Sequence, residues 1–183
     1  MTINQSTKTP PFQLEKAVYQ PTILVVDDEA INRFILEDLI EDRYQLALVE
    51  NGQACLESVA ERFPDLILLD VNMPGLNGFD VCRILKAEPL TADIPIIFLT
   101  AKIAPEDERL GLELGAVDYI TKPFTESILL ARIKTHLSLS QTQKLLEQSH
   151  FQLQKERDYI EYIMLSMRDD HRYISDHLTT LVA

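Results

Sequence analysis

Five short apolar runs, each followed by an amphipathic stretch, leave this chain few folds to choose from. The runs are 22-TILVVD-27, 45-QLALVE-50, 65-DLILLD-70, 95-PIIFLT-100 and 117-VDYIT-121. Between them lie Ala30–Glu41, Gly52–Arg62, Gly78–Ala87 and Pro105–Leu114, where apolar residues recur three and four apart, the period of a helix. The runs are apolar almost without interruption, as strands covered on both faces are. Repeated strand-then-helix units predict an α/β fold, a doubly wound five-stranded parallel sheet with right-handed crossovers. Pro64, Pro95 and Gly115 punctuate the junctions where such units turn.

The flanks read differently. Residues 1–20 are rich in Thr, Gln and Pro and are expected to form a flexible lead-in, with Phe12, Leu14, Val18 and Tyr19 able to dock on the domain. The folded unit is expected at 21–137 and a helical linker at 138–183. No Pro follows Pro123 and no Gly follows Gly115, and Thr125 can cap a helix whose first turn holds Glu126. One helix over most of this stretch would run on the order of 80–90 Å. Leu139, Leu146, Leu153, Ile160, Met167, Ile174 and Leu181 recur every seven residues, a coiled-coil signal. The second column is weaker: Thr142, Ser149 and Glu156 are polar, and apolar support returns at Ile163. The expectation is a parallel homodimer through residues 138–170; the alternative is a helix folded back on its own domain.

Charge and composition exclude several function classes. The formal net charge of −12 argues against non-specific nucleic-acid binding and against an anionic membrane surface. No apolar run approaches the roughly 20 residues that span a bilayer, and the first residues lack a secretion signal. Cys55 and Cys82 stand alone, without metal-ligand spacing, and read as reduced, partly buried thiols.

The chemistry gathers where the runs end. The first closes in Asp27-Asp28-Glu29, the third in Asp70, the fourth in Thr100-Ala101, and the fifth is followed by Lys122-Pro123. In an open parallel sheet, functional groups collect at this carboxyl edge. Carboxylates held close together repel one another unless a cation sits among them. A site of few oxygen ligands suits Mg²⁺, which keeps several waters and accepts a phosphate oxygen. A carboxylate can attack phosphorus to form an acyl phosphate. Such transfer needs mainly positioning and neutralisation of three equatorial oxygens, for which Mg²⁺, the Lys122 ammonium and the Thr100 hydroxyl are suitable partners.

The segments VVDDE, LLDVNMPGLNG, FLTA and DYITKPF, in this order and spacing across roughly residues 21–137, resemble the signatures of bacterial two-component response-regulator receiver domains. The resemblance implies the flavodoxin-like strand order 2-1-3-4-5, and a cytoplasmic domain phosphorylated by a sensor histidine kinase or a phosphotransfer protein. It implies that Asp70 is the phospho-acceptor and also a metal ligand, that Asp28 is a direct Mg²⁺ ligand and Asp27 the acidic neighbour that holds the metal's water shell, and that Asn72 gives the metal its backbone carbonyl. Lys122 resembles the lysine that pairs with the phosphoryl group, Thr100 the switch hydroxyl and Tyr119 the switch aromatic. Lys122-Pro123 resembles the family's cis peptide bond. Asn72 and Lys102 match the positions that tune the lifetime of the phosphoryl group. Residues 157–183 resemble the linker ahead of SpoIIE-like serine/threonine phosphatase domains, so a truncated output region is expected there.

Taken singly, each residue also has an ordinary role. Asp28 suits a helix N-cap, Asp70 a turn, Thr100 a cap, Lys122 a solvated surface, Tyr119 half-buried packing, and Pro123 a trans helix start. Asp169, Asp170, His171 and His177 suit a solvated face better than a metal site. Two other functions compete with the signalling module. A nucleotide-binding enzyme would carry a glycine-rich loop after the first strand, which 27-DDEAIN-32 lacks. A phosphorylation-independent dimerisation scaffold would have no use for the acids, Thr100 and Lys122 together.

Overall fold

The computed structural model describes the backbone of residues 19–101 and 105–181, and the side chains of 19–101 and 109–166. Most of the expected N-terminal segment, Lys102, and the side chains of Met167, Asp169, Asp170, His171, Ile174, His177 and Leu181 lie outside these.

Among the described residues ten elements alternate: β1 (Thr22–Val26), α1 (Ala30–Ile40), β2 (Gln45–Val49), α2 (Gly52–Glu61), β3 (Leu66–Asp70), α3 (Gly78–Ala87), β4 (Ile96–Thr100), α4 (Pro105–Glu113), β5 (Asp118–Thr121) and α5 (Glu126–Leu181). The strands form one parallel sheet in the order β2-β1-β3-β4-β5. Observed ends differ from the sequence reading by a residue or so, at caps. Asn51 and Asn77 accept from the N–H groups of Ala54 (2.8 Å) and Asp80 (3.0 Å), and so fix the starts of α2 and α3.

Both faces of the sheet are covered, and strand alternation divides the core in two. Leu24, Val26, Ile67, Leu69, Ile96 and Phe98 face Val59 of α2 and Val81, Cys82 and Leu85 of α3. Ile23, Val25, Leu66, Leu68, Ile97 and Leu99 face Leu36 and Ile40 of α1 and Leu129, Ile133 and Leu137 of α5. This double coverage is why the runs are apolar throughout.

α5 leaves the domain without a break. Its inner face is buried through Leu137, and Asp118 of β5 holds it from the side, its Oδ2 lying 3.0 Å from Arg132 and 2.9 Å from His136 Nε2. Beyond that point the seven-residue column stands in solvent: Leu139, Leu146, Leu153 and Ile160 are 60%, 70%, 62% and 55% exposed. Among the described residues, no helix is long and apolar enough to cross a membrane.

Candidate phosphoryl-transfer site

The order of strands reverses direction between β1 and β3: from β1 the chain moves outward to β2, then returns to β3 and continues through β4 to β5. Such a switch point leaves a crevice at the carboxyl ends of the two strands. Asp27 follows β1 directly and is buried, and Asp70 is the last residue of β3. Lys122 follows β5, ahead of a cis bond to Pro123. Its backbone N–H donates to the Thr100 carbonyl at 2.7 Å, which ties the end of β5 to the end of β4.

The Lys122 side chain spans the crevice. Its Nζ donates to Asp27 Oδ2 at 2.5 Å and to Asp70 Oδ1 at 2.6 Å. The three side chains are 19%, 0% and 7% exposed, so these are charges largely withdrawn from water. The remaining carboxylate oxygens are also engaged. Asp27 Oδ1 accepts from the Glu29 N–H and from Asn32 Nδ2, both at 3.0 Å, and Asp70 Oδ2 accepts from the Asn72 N–H at 2.9 Å. Arg33 donates to the Asp27 carbonyl at 2.6 Å, fastening α1 to the end of β1.

Burial and pairing pull the two ends of this cluster in different ways. Burial penalises the Asp70 carboxylate, and the Asp27 charge adds to that. Together they outweigh the help of Lys122 and the Asn72 N–H, leaving the Asp70 pKa above the ordinary carboxylate value. Burial also works against the Lys122 ammonium, but hydrogen bonds and charge from two acids outweigh it, so the lysine pKa is raised. One ammonium thus faces two acids.

Among the described residues, no three His, Cys, Asp or Glu side chains are gathered into a protein-only metal cage. The donors at the crevice are nevertheless all oxygen, and Asp27 and Asp70 converge on a single cation. Asp28 is exposed at the rim, its side chain in no hydrogen bond or ion pair among the described residues. Two or three hard oxygens with room for water is the pattern that fits Mg²⁺.

The expected residues are not all brought to one point. Asp27, Asp70 and Lys122 touch, and Thr100 is buried at the end of β4 beside them. Asn72 reaches Asp70 through its N–H. Tyr119 is half-buried, opposite Phe98 across the β4–β5 pair, with ring centroids 5.2 Å apart. Three contributors went unread in the sequence. Asn32 and Arg33 carry no signal in the sequence beyond their place at the start of a helix, although polar side chains in the first turn after an acidic strand end can fold back onto it. Gly78 is the third: a Cβ there would overlap the Asp70 carbonyl and lie 2.9 Å from Val71 Cα, so the start of α3 meets the end of β3 backbone to backbone.

Residues 23–134 match the response regulator receiver domain family. The chain is 49% identical over 117 residues to the phosphate regulon transcriptional regulatory protein PhoB of Pseudomonas aeruginosa, covering 63% of this chain and 51% of that protein. It is 44% identical over 114 residues to the response regulator PleD of Caulobacter vibrioides, covering 62% and 25%. The chain therefore spans about half or less of these curated relatives. Among solved structures, the beryllofluoride-activated DrrB receiver domain is matched with a TM-score of 0.61 at 31% identity, over 66% of this chain and 99% of that one. Receiver domains are regulatory modules, phosphorylated on an aspartate by a histidine kinase or phosphotransfer protein, and they bind Mg²⁺ at the acidic site. With a two-faced parallel sheet, acids at its switch point and a family match across its whole folded core, this chain belongs to the response regulator receiver domains.

Proposed function

We propose that Asp70 is the phospho-acceptor of a receiver spanning 21–137, and that the phosphorylated state is relayed through α5 to an output domain. The observation that supports this most is the Lys122 ammonium, shared between Asp70 and Asp27 at hydrogen-bond distance. An Asp70 oxygen attacks phosphorus, the bond from phosphorus to the donor's imidazole nitrogen breaks, and that nitrogen keeps the electron pair. The phosphoryl group brings new negative charge to the crevice. Lys122, already at Asp70 Oδ1, pairs with a phosphoryl oxygen, and the Thr100 hydroxyl donates to another. Asp27, Asp28, Asp70 and the Asn72 carbonyl would hold Mg²⁺, which when bound neutralises further charge on the transferring group.

Tyr119 acts as the switch aromatic, its position coupled to that of Thr100, with which its β-strand neighbour Phe98 shares a face. The donor is a histidine kinase or phosphotransfer protein acting in the cytoplasm. Ile31, Phe34 and Ile35 support this partner, since they form an exposed apolar patch on α1 directly beyond the Asp27 edge.

The exposed column from Leu139 to Ile160 supports a parallel homodimer through residues 138–170, and Tyr159, Tyr162, Ile163 and Met164 extend the apolar surface. For the output we read a protein phosphatase of the SpoIIE-like class, on the resemblance of residues 157–183; the relatives bear different names at this level. Incubation with acetyl phosphate and Mg²⁺ tests the core of the proposal. Labelling is expected in the parent chain, strongly reduced without the metal and lost in Asp70→Asn. Stable labelling of Asp70→Asn would move the chemistry to another residue.

A further inference from the structure

α4 meets the sheet in an unusual way. Of its residues 109–113, Gly111 alone is buried, while Leu110 and Leu112 on either side are 39% and 49% exposed. At Gly111 the helix therefore presents bare backbone to the core, where a helix ordinarily presents a large apolar side chain. A glycine inside a helix is also a poor helix former, so its presence at this one buried position calls for a packing reason. The reason is Tyr119. A Cβ built at position 111 would overlap the Tyr119 hydroxyl oxygen outright, and would lie 2.6 Å from Tyr119 Cζ and 3.0 Å from Phe98 Cε2. Real side chains do not tolerate such separations from a ring, which cannot bend away.

The ring beneath Gly111 belongs to a row. Phe79 of α3 meets Phe98 edge-on with centroids 5.2 Å apart, and Phe98 meets Tyr119 at 5.2 Å with a tilt of 31°. The row crosses from α3 through β4 to β5 and ends under α4. Two residues after Glu113, Gly115 turns the chain at a φ of +96°, and the Val117 N–H donates to the Ile96 carbonyl at 2.9 Å, so β5 and its tyrosine are fixed close behind the helix.

We propose that Gly111 is a positioning residue for signalling: its missing side chain is the slot that admits the Tyr119 ring, and α4 is seated on that ring. The slot makes the aromatic and the helix a single mechanical unit. Tyr119 can occupy this place only under a glycine, and an approach of α4 towards the sheet requires the ring to leave. The consequence for signalling rests on the reading of Tyr119 as the switch aromatic; the slot itself does not.

The test uses the full chain with ¹³C-labelled tyrosine, the Tyr119 signal being the one that disappears in Tyr119→Phe. In Gly111→Ala the Tyr119 ring resonance is expected to leave the position set by the neighbouring Phe98 ring and to move towards those of exposed tyrosines such as Tyr159. The melting midpoint should fall by several degrees. In a Tyr119→Ala background the same Gly111→Ala change should instead raise the midpoint, because only the better helix former remains in play. A folded Gly111→Ala chain with an unmoved Tyr119 resonance would overturn the proposal, as would a rise in midpoint in both backgrounds. If Gly111→Ala alone does not fold, a folded double variant supports the slot and an unfolded double variant refutes it. Titration of the parent with beryllofluoride and Mg²⁺ separates the two readings: an unresponsive Tyr119 resonance removes the switch role and leaves the slot standing.

Discussion

Replacement of Lys122 by methionine strikes the cation that, among the described residues, pairs with both acids. Methionine keeps most of the aliphatic stem and removes the charge, so packing changes little. Asp27 is fully buried and Asp70 nearly so, and each then loses a charged donor at 2.5–2.6 Å. Removing one partner from a buried ion pair costs about 3–5 kcal/mol. The crevice is open at its rim, where Lys122 is 19% exposed, so the low end, about 3 kcal/mol, is expected. At an m-value of about 2 kcal/mol/M in urea, that is a midpoint drop of about 1.5 M. The sign of the pH dependence follows from the shifts. The parent lysine has a raised pKa, so its contribution is fully present below the ordinary lysine value and is lost only as pH rises through the higher native one. In the variant, Asp70 keeps the burial that raises its pKa and loses the lysine that lowers it, so it binds a proton more tightly in the folded chain than in the unfolded one. The deficit should therefore be large near about pH 8 and shrink towards about pH 5, approaching the carboxylate range. Millimolar Mg²⁺ should recover part of it, because a metal bound only by the folded state stabilises that state. Urea unfolding at both pH values, with and without Mg²⁺, is the assay. A loss below about 1 kcal/mol at the higher pH without divalent cation, far under the buried-pair cost, would refute the balancing role of Lys122.

Asp70→Asn should do the opposite to stability while abolishing phosphorylation. Because burial raises the Asp70 pKa, its stabilising contribution is present below the ordinary carboxylate value and is lost as pH rises through the raised one. Its charge is thus a net cost at neutral pH, and a urea midpoint at neutral pH no higher than the parent's would count against this. Leu146→Asp with Leu153→Asp should convert a dimer to a monomer in sedimentation, since each buries a charge in the proposed seam; a parent chain that is monomeric at high concentration would dispose of the dimer itself. Cys55 is buried, and burial pushes its thiol up to about 12, so native protein should resist alkylation at neutral pH until urea unfolds it. Rapid native labelling of Cys55 would contradict its placement between the sheet and α2.

Much of this could be read in the chain because local pattern and tertiary demand agree. The runs through Leu24, Leu68 and Phe98 are apolar on both faces and lie in strands covered on both faces, so periodicity alone pointed to the layers. Asp27, Asp70 and Lys122 stand at run ends, which any parallel sheet brings to one edge. What sequence could not supply was distance and direction. Nothing in 27-DDEAIN-32 says that Asn32 and Arg33 turn back onto Asp27, since that depends on the angle at which α1 leaves the strand. Nor could Gly111 be distinguished from an ordinary weak spot in a helix, because its partner lies eight residues away on another element. Tyr119 was legible as an aromatic near the lysine, but its ring contact with Phe98 belongs to packing.

Among the described side chains of α5 the last buried one is Leu137, and the helix backbone runs on for about 65 Å to Leu181, an arm rooted in the turns that carry Leu129, Ile133 and Leu137. A rod of that length multiplies small motions: a tilt of about 5° at its root displaces its far end by about 6 Å. The root is gripped by Asp118, the residue next to Tyr119, so sub-ångström repacking beside the acidic crevice has a gearing by which it can be felt several nanometres away.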